Sequence, residues 1–475
     1  MKKIYKKINT SAFDSIKSIR MQTLVCIILF GVIISIFSCR KFVEVPPPIN
    51  QVVSSEVYSN DATATAAVVG IYSEMQESNV IPFNGALSVY CSLSADDITY
   101  TKTFGDIVAM QTNTVVADNS ETQPFWSRIY GELGNINACI EGINNSTGIT
   151  PSLKQQLMGE ALFCRSLCYF YLTNLFGDVP MATTTNYRVN ALLPNTSSSL
   201  VYQQIVADLQ TAQGLLSPSY PSSGHERPNK WVAVSLLSRV YLYQKNWAKA
   251  DSLSSLVINS GAYSLSSNLN NVFLDGSTEA ILQLQPVSAG INTADGITFI
   301  PATATLIPTY AISPYLLSAF ENGDQRKTDW LKSNTVSGKT YYYPYKYKVR
   351  TGATITEDNM IIRLAELYLI RAEAEAQQNN IASAISDINI IRSRAGLPAL
   401  SASISAAACL AAVAQERRVE FFAELGNRWL DLKRTNTADA VLGSEKNTWK
   451  SYQALYPVPP SEIIADPNLK QNPGY

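Results

Sequence analysis

The sequence predicts a mainly α-helical fold, in which helical hairpins carry a loop-rich insertion with a small amount of β structure. Three observations support this fold class. Apolar residues recur at helical spacing, the helical segments come in pairs joined by short turns, and residues 262–358 between two pairs are rich in Ser, Thr, Gly, Asn and Pro. With 475 residues, of which 46% are apolar, the chain can bury a large core.

The predicted helices pair along the chain. Residues 160–176 are apolar nearly all round, which predicts a buried helix, and the run from Gly177 to Pro180 ends it. Residues 198–216 follow as an amphipathic partner. Further pairs are predicted at 229–244 with 247–260 and at 361–378 with 381–394, so that the hairpins occupy about 150–260 and 361–396.

Two of these pairs show a tetratricopeptide-like pattern, in which small residues let two helices approach and large residues fill the groove of the next pair. The matching residues of the first pair are Tyr241, Trp247 and Ala250. Those of the second pair are Ala372, Ile381, Ala384 and Ile388. We therefore expect tetratricopeptide-like hairpins, interrupted by the insertion rather than stacked continuously.

The insertion is predicted to contain short strands. Residues 280–285 have β character. Alternate positions of a second stretch are aromatic, as along one face of a strand: Tyr341, Tyr343, Tyr345 and Tyr347. Pro344 would place that strand at a sheet edge. A long irregular segment is more often functional than idle, so we expect the insertion to form the ligand side.

Charge and histidine content exclude several classes of function. The chain has 37 basic and 38 acidic residues, and removing the basic amino-terminal 38 residues leaves 31 and 37. Nucleic acid is therefore a poor partner, because a phosphate backbone requires clustered positive charge. The single histidine, His225, excludes His-rich zinc sites and HExxH hydrolases. No metal and no cofactor is expected.

The amino terminus is predicted to be a targeting segment. Residues 24–37 form an apolar run that is too short to span a bilayer and follows a basic leader. Ser38 and Cys39 then resemble a bacterial lipobox, which predicts a signal peptide at 1–38 and lipidation of Cys39. An ordinary cleaved signal or an anchor helix is the alternative. Residues 39–50 contain consecutive prolines and are predicted to form an extended tether.

The motifs that could indicate catalysis are weak. Ser337 to Thr340 resembles the end of a phosphate-binding loop, but the glycine required at position 333 is a serine. Glu416, Glu420 and Glu424 share a predicted helix face beside two arginines, which favours salt bridges over acid–base chemistry. The other acidic pair, Asp96 and Asp97, would point in opposite directions on a strand.

The closing segment is the most specific signature of the chain. Residues 456–475 read Tyr-Pro-Val-Pro-Pro-Ser-Glu-Ile-Ile-Ala-Asp-Pro-Asn-Leu-Lys-Gln-Asn-Pro-Gly-Tyr, and they closely resemble the carboxyl terminus of the SusD/RagB family of outer-membrane nutrient-binding lipoproteins. Residues 59–72, 160–180 and 416–434 are similar to the same family and occur in the family's order. The resemblance spans almost all of residues 51–475, which we expect to form one domain.

The resemblance implies an α-helical fold on about four tetratricopeptide-like hairpins, with the ligand site on a loop-rich side. Family members cap a SusC-like TonB-dependent transporter and bind oligosaccharides, or peptides in the RagB branch, without catalysis. We therefore expect a non-catalytic lipoprotein of the outer membrane, facing outwards, that delivers a glycan to such a transporter. Arg40 and Lys41 depart from the acidic residues that often follow the lipidated cysteine in this group.

The ligand residues are expected in two segments that are far apart in sequence. In this family the ligand tends to meet the loop after the first helices and the irregular insertion, here residues 94–104 and about 300–347. The aromatic candidates are Tyr100, Phe104, Trp330 and Tyr343. Asp97 is the candidate acceptor for a sugar hydroxyl. The alternatives are a peptide ligand, or a surface glycoside hydrolase that uses Glu416 or Asp96.

Overall fold

A computed structural model describes Met21, residues 54–77 and residues 80–475. Ser54–Tyr475 form one compact unit. The predicted lipidation site Cys39, the predicted tether at 39–50 and the predicted signal peptide, apart from Met21, lie outside the described residues. Among the helices that are described, none combines the length and the apolar character needed to cross a bilayer.

Helices account for most of the regular structure. In the first half of the described chain they are α1 Ser54–Val57, α2 Asp61–Glu74, α3 Ala86–Ser94, α4 Gly105–Thr112, α5 Gln123–Asn145, α6 Pro151–Phe176, α7 Tyr187–Asn190, α8 Ser198–Leu215, α9 Lys230–Tyr243 and α10 Trp247–Ile258. In the second half they are α11 Ala294–Phe299, α12 Pro314–Ala319, α13 Gln325–Asp329, α14 Leu364–Gln377, α15 Ile381–Arg394, α16 Ala406–Glu420, α17 Asn427–Arg434, α18 Ala438–Glu445 and α19 Pro460–Ala465.

The strands form small antiparallel pairs. They are β1 Ile98–Tyr100, β2 Ala280–Leu284, β3 Tyr310–Ile312, β4 Leu331–Val336, β5 Lys339–Pro344 and β6 Asn359–Arg363. In the described residues β1 pairs with β3, β2 with β6, and β4 with β5. The predicted fold class, mainly α with tetratricopeptide-like hairpins and minor β structure, is confirmed.

The predicted helical pairs pack on one another in sequence order. α6 packs between α5 and α8, α9 packs on α10, and α14 packs on α10 and α15. The turns within two of the pairs contain Lys245 and Asn379 in the left-handed region, with φ values of 57° and 64°. Two boundaries were wrong. The helix predicted at 160–176 begins earlier, at Pro151. Residues 361–363, predicted as the start of a helix, belong to β6, because they pair with β2 before α14 begins at Leu364.

The four tyrosines of the insertion do not share one strand face as predicted. β5 ends at Pro344, so Tyr345 and Tyr347 lie beyond it, and the backbone N–H of Tyr345 donates to the carbonyl of Trp330 at 2.7 Å. The hydroxyl of the buried Tyr347 accepts from the N–H of Met360 at 3.0 Å. The alternation of the tyrosines therefore predicted that a strand is present, but it did not predict where the strand ends.

Buried ion pairs attach the insertion to the helical scaffold. Arg363 contacts Glu279 at 2.8 Å, Glu420 at 2.6 Å and Glu424 at 2.9 Å. Arg326 contacts Glu420 at 3.1 Å. The predicted helix face holds for Glu416 and Glu420, but α16 ends at Glu420, so Glu424 lies in the turn after it. These carboxylates form salt bridges as predicted, but not with the neighbouring Arg417 and Arg418, which pair with Asp431 and Asp96.

Candidate functional site

Pairing of β1 with β3 joins the two sequence segments that were expected to form the ligand site. Tyr100 lies opposite Tyr310 in this pair. Beyond the strand, the N–H of Thr101 donates to the carbonyl of Thr309 at 3.0 Å, and its Oγ1 donates to the carbonyl of Pro308, 207 residues away, at 2.7 Å. The loop after α3 and the first part of the insertion therefore form one surface.

The β4–β5 hairpin adds a third segment. Ser337 and Gly338 form its two-residue turn with φ values of 52° and 77°, the left-handed values that a tight hairpin requires. β5 lies beside β3. Asn334 of β4 donates through Nδ2 to the carbonyls of Thr303 at 3.1 Å and Leu306 at 2.8 Å. We call residues 98–104, 300–312 and 331–345 together the loop cluster.

Two of the predicted aromatic residues present ring surface in the loop cluster. Phe104 precedes α4 and its side chain is 53% exposed. Tyr100 is half-buried, with its ring centroid 5.5 Å from that of Tyr310. Tyr310 also contacts Phe299 edge to face at 6.1 Å, so Tyr100 rests on a packed aromatic base. An exposed ring held on such a base can stack on the apolar face of a sugar.

Tyr341 and Tyr345 are half-buried aromatic residues of the loop cluster that were not among the predicted ligand residues. The Nζ of Lys339 lies 4.8 Å from the ring centroid of Tyr341. Tyr345 has the Nζ of Lys332 at 4.6 Å and that of Lys348 at 4.4 Å. The tyrosine alternation in the sequence was the available signal, but it could not tell which rings face solvent.

Trp330 is a core residue, contrary to the expectation of an exposed platform. Its side chain is 0% exposed, and its Nε1 donates to the carbonyl of Leu269 at 3.0 Å. Its ring contacts Phe273 at 5.8 Å, and the Nζ of Lys346 lies 4.8 Å from the ring centroid. Stacking on a ligand requires an accessible ring face, which Trp330 lacks. The sequence showed that Trp330 is an aromatic residue of the insertion, but it did not show that the ring is buried.

Tyr343 and Asp97 are also buried rather than presented to solvent. Tyr343 is only 3% exposed, so its ring offers little surface. Neither carboxylate oxygen of Asp97 has a hydrogen-bond partner among the described residues. Burial, together with the neighbouring carboxylate of Asp96, raises the pKa of Asp97 to about 7. As a hydroxyl acceptor for a ligand, Asp97 is therefore out of reach in this conformation.

The carboxylates of Asp96 and Glu416, which the hydrolase alternative would use in catalysis, form ion pairs with arginines. Asp96 accepts from Arg418 and, at 2.7 Å, from Arg428. Glu416 accepts from Arg326 and Arg392, each at 2.8 Å. Both side chains are buried. A glycosidase requires two carboxyl groups that flank an accessible substrate bond, and neither residue is placed to do so.

One cluster of described residues has the geometry to hold a metal ion. Oxygen atoms of Glu226, Asp275 and Asp358 lie within 4.8 Å of one another. Asp358 is buried and accepts from Nε2 of Gln283 at 2.6 Å. Burial raises the pKa of Asp358 to about 6, although the bond from Gln283 opposes the rise. Three carboxylates could hold a hard cation such as Ca²⁺.

Two family models match the chain. The model described as "Starch-binding associating with outer membrane" matches residues 41–242, and the model described as "SusD family" matches residues 317–475. The chain belongs to the SusD family. The amino-terminal match begins two residues after Cys39, and the carboxyl-terminal match ends at Tyr475. Together the two matches include both ends of the helical scaffold.

Curated relatives and solved structures of SusD proteins agree with this assignment. The SusD-like protein P25 of Formosa agariphila is 23% identical, over 94% of this chain and 97% of its own length. A SusD superfamily crystal structure from Bacteroides vulgatus superposes with a TM-score of 0.80 at 20% identity, covering 88% of this chain and all of the other. A laminarin-binding SusD-like protein superposes with a TM-score of 0.72 at 24% identity, with coverage of 88% and 100%.

Proposed function

We propose that this SusD protein binds oligosaccharides through the loop cluster and delivers them, without catalysis, to a SusC-like TonB-dependent transporter. The observation that carries the proposal is the β1–β3 pairing, which brings Tyr100 and the exposed Phe104 onto one surface with residues 300–312. The likeness to a family described as starch-binding and to a laminarin-binding protein supports a glycan as the ligand.

The chemistry of the loop cluster suits a glycan. Aromatic rings contact the apolar faces of sugar rings, while polar groups around them bond the hydroxyls. Beside Phe104, the exposed Thr103 offers a hydroxyl, and Thr303 and Thr305 do the same on the facing loop. An extended surface of this kind fits a chain of several sugar units better than a single small molecule.

The proposed location is the outer membrane, with the protein anchored through lipid on Cys39 and facing outwards. The family description of association with the outer membrane supports the membrane, and the lipobox-like Ser38–Cys39 supports the anchor. Two acyl chains are needed for stable anchoring, because one alone binds a bilayer only marginally. The transporter partner rests on the family resemblance.

Calorimetric titration with starch-derived and laminarin-derived oligosaccharides tests the proposed site. Phe104→Ala and Tyr100→Ala are expected to weaken binding by about 1–3 kcal/mol each, the scale for truncating an aromatic anchor. Tyr187→Ala is the matched control, because Tyr187 is 71% exposed but belongs to α7, outside the loop cluster. Equal affinity for all three variants would contradict the proposed site.

The same preparation separates the alternatives. A peptide ligand would be retained in a pull-down while the oligosaccharide panel gives no heat of binding. Hydrolysis of a bound oligosaccharide that disappears in a Glu416→Gln variant would support the hydrolase instead. We expect neither outcome, since Glu416 is buried between Arg326 and Arg392.

A further inference from the structure

The loop cluster contains three lysines and no acidic residue. The lysines are Lys102, Lys332 and Lys339, and all three are exposed. Residues 39–475 as a whole have the opposite bias, with 31 basic and 37 acidic residues. Eight threonines also belong to the loop cluster, so its surface combines many hydroxyl groups with charges of one sign.

The antiparallel register places Lys332 and Lys339 on one face of the β4–β5 hairpin. Asn334 lies opposite Tyr341, and the two lysines are each two residues away from this pair along their strands. Side chains two residues apart on a strand point to the same face. Because Asn334 donates to carbonyls of residues 300–312, this is the face that borders that segment. Both lysines are therefore presented beside the middle segment of the loop cluster.

Aromatic rings, rather than carboxylates, contact the ammonium groups of these two lysines. The Nζ of Lys332 lies 4.6 Å from the ring centroid of Tyr345, and the Nζ of Lys339 lies 4.8 Å from that of Tyr341. A ring attracts a cation without neutralising it, whereas a carboxylate would cancel its charge. The positive charge at this edge of the loop cluster is therefore available to a ligand.

Lys102 and Arg350 add cations from two other segments. Lys102 lies between Tyr100 and Phe104 in the chain, and it is exposed like Phe104. Arg350 is half-buried, and its Nε donates to the carbonyl of Ile300 at 3.1 Å. Its two Nη atoms have no hydrogen-bond partner among the described residues and are open to solvent. The bond to Ile300 thus orients a guanidinium with free donors at the edge of the loop cluster.

None of the described acidic residues that border the loop cluster forms an ion pair with these four cations. The bordering acids are Asp97, Asp106, Glu121, Asp295, Asp329 and Glu357. Two of them, Asp97 and Asp295, are buried in the core. Asp106 and Glu121 accept from the hydroxyl of Ser120, at 2.6 and 3.1 Å. The remaining two flank Lys348, which is a fifth cation. The three exposed lysines and the Nη atoms of Arg350 are therefore left to bind an external anion.

We propose that the glycan bound by the loop cluster is acidic, and that Arg350 and the three exposed lysines contact its carboxylate or sulfate groups. This inference rests on the proposed function and narrows the class of its ligand. Ammonium and guanidinium groups form charge-assisted hydrogen bonds with oxyanions, while Tyr100 and Phe104 offer ring faces to the sugar units. Because the cations come from three segments of one surface, they fit anionic groups that repeat along a chain.

Calorimetric titration of the full chain at low ionic strength tests the ligand class with matched pairs. Oligogalacturonate is compared with its methyl ester, and a sulfated galactan oligosaccharide with its desulfated form. We expect the acidic member of at least one pair to bind roughly tenfold more tightly than its neutral partner. This advantage should shrink as salt is added. The pair that shows it identifies the anionic group as carboxylate or sulfate.

Three outcomes of these titrations would overturn the proposal. Equal affinity within both pairs would show that charge is not recognised, although it would leave the proposed glycan-binding function intact. Binding of polyphosphate as tightly as the acidic oligosaccharide would show that any polyanion suffices. Absence of binding by every oligosaccharide would contradict the proposed function itself.

Lysine variants test whether the loop cluster supplies the charge. Lys102→Gln and Lys339→Gln are each expected to weaken binding of the acidic ligand about two- to fivefold, the scale of an exposed ion pair. The triple variant that also contains Lys332→Gln should lose roughly tenfold or more, and should lose less affinity for the neutral partner. Lys249→Gln is the matched control, because Lys249 is exposed and its Nζ also lies 4.8 Å from a tyrosine ring centroid, that of Tyr241. An equal loss in Lys249→Gln, or unchanged affinity in the triple variant, would overturn the proposal.

A final variant tests whether the acid and the sugar are recognised on the same surface. Phe104→Ala is expected to weaken the acidic ligand and its neutral partner by similar factors, because the ring contacts the part that the two ligands share. Full retention of acidic-ligand affinity in Phe104→Ala and Tyr100→Ala, with loss only in the lysine variants, would mean that the anion binds apart from the aromatic surface. That result would overturn an acidic glycan as the ligand of the loop cluster.

Discussion

Replacement of Trp330 by alanine is expected to destabilise the fold rather than to remove a ligand contact. The side chain is completely buried against Phe273 and Phe422. Removing a buried tryptophan typically lowers the free energy of unfolding by about 3–5 kcal/mol, because the cavity closes only in part. Loss of the bond from Nε1 also leaves the carbonyl of Leu269 with only the longer bond from the N–H of Val272, at 3.4 Å. We therefore expect a loss near the upper end of that range.

A second substitution separates the two contributions. Trp330→Phe keeps an aromatic ring in the core but removes the Nε1–H that bonds Leu269. The lost hydrogen bond and the smaller ring are expected to cost about 1–3 kcal/mol together. The stability of Trp330→Phe should therefore lie between those of Trp330→Ala and the unmodified chain.

Urea denaturation measures both variants, and oligosaccharide titration is run on the folded fraction. Tyr187→Ala serves as the surface control, with an expected change within about 0.5 kcal/mol. The reasoning would be refuted if Trp330→Ala lost oligosaccharide affinity while its free energy of unfolding stayed within about 1 kcal/mol of the control. That result would mean that the ring is accessible to the ligand.

The other predictions concern a buried acid, a buried ion pair and the lipid anchor. Burial and Asp96 raise the pKa of Asp97 to about 7, so between about pH 4 and 7 the unfolded chain releases a proton that the folded chain keeps, and stability falls as pH rises. Asp97→Asn should reduce this pH-dependent loss of unfolding free energy by up to a few kcal/mol. A free energy of unfolding that changes with pH in parallel with that of the unmodified chain would contradict this. Arg363→Met leaves Glu420 and its neighbours short of a buried cation and should cost about 3–5 kcal/mol in urea denaturation. Arg128→Met, which removes an exposed pair, should cost about 0–1 kcal/mol, and equal losses would refute the argument. Cys39→Ala should release the protein from membranes, since each buried acyl CH₂ contributes about 0.8 kcal/mol; retention through high-salt washing without detergent would exclude lipid as the anchor.

The helical scaffold could be predicted because its signals are local. The turns at Lys245 and Asn379 and the apolar faces of the flanking segments lie within a few residues of one another. Such patterns specify a hairpin before any distant contact forms. The displaced boundary at 361–363 occurred where β2, far away in sequence, pairs with β6 and overrides local helical preference.

The candidate site could be predicted only in part, because exposure depends on distant contacts. Phe104 and Trp330 are both large aromatic residues near turns, and their local sequences do not reveal which is buried. Trp330 is covered by Leu269, Phe273 and Phe422, which come from two other segments. Phe104 has no ring partner among the described residues. The family resemblance placed both segments at the site, but the choice of individual rings required the fold.

The residues that carry the family resemblance are those that build the scaffold. Tyr456, at the start of the closing signature, is buried, stacks on Trp429 at 6.1 Å and bonds Ser94 at 2.8 Å. Glu420, in another signature segment, is a buried partner of Arg363. A signature made of core contacts identifies the fold and says little about the ligand.

Under the proposed function, ligand choice resides in residues outside the signature, chiefly those of the loop cluster. Buried ion pairs hold the insertion to α16 and to the turn after it independently of its exposed rings, since Arg326 contacts Glu416 and Lys346 contacts Glu424. The exposed side chain of Phe104 takes no part in those pairs, so its substitution need not disturb the scaffold. This separation lets one fold present different glycan surfaces. It also explains why membership of the family can be assigned without naming the sugar.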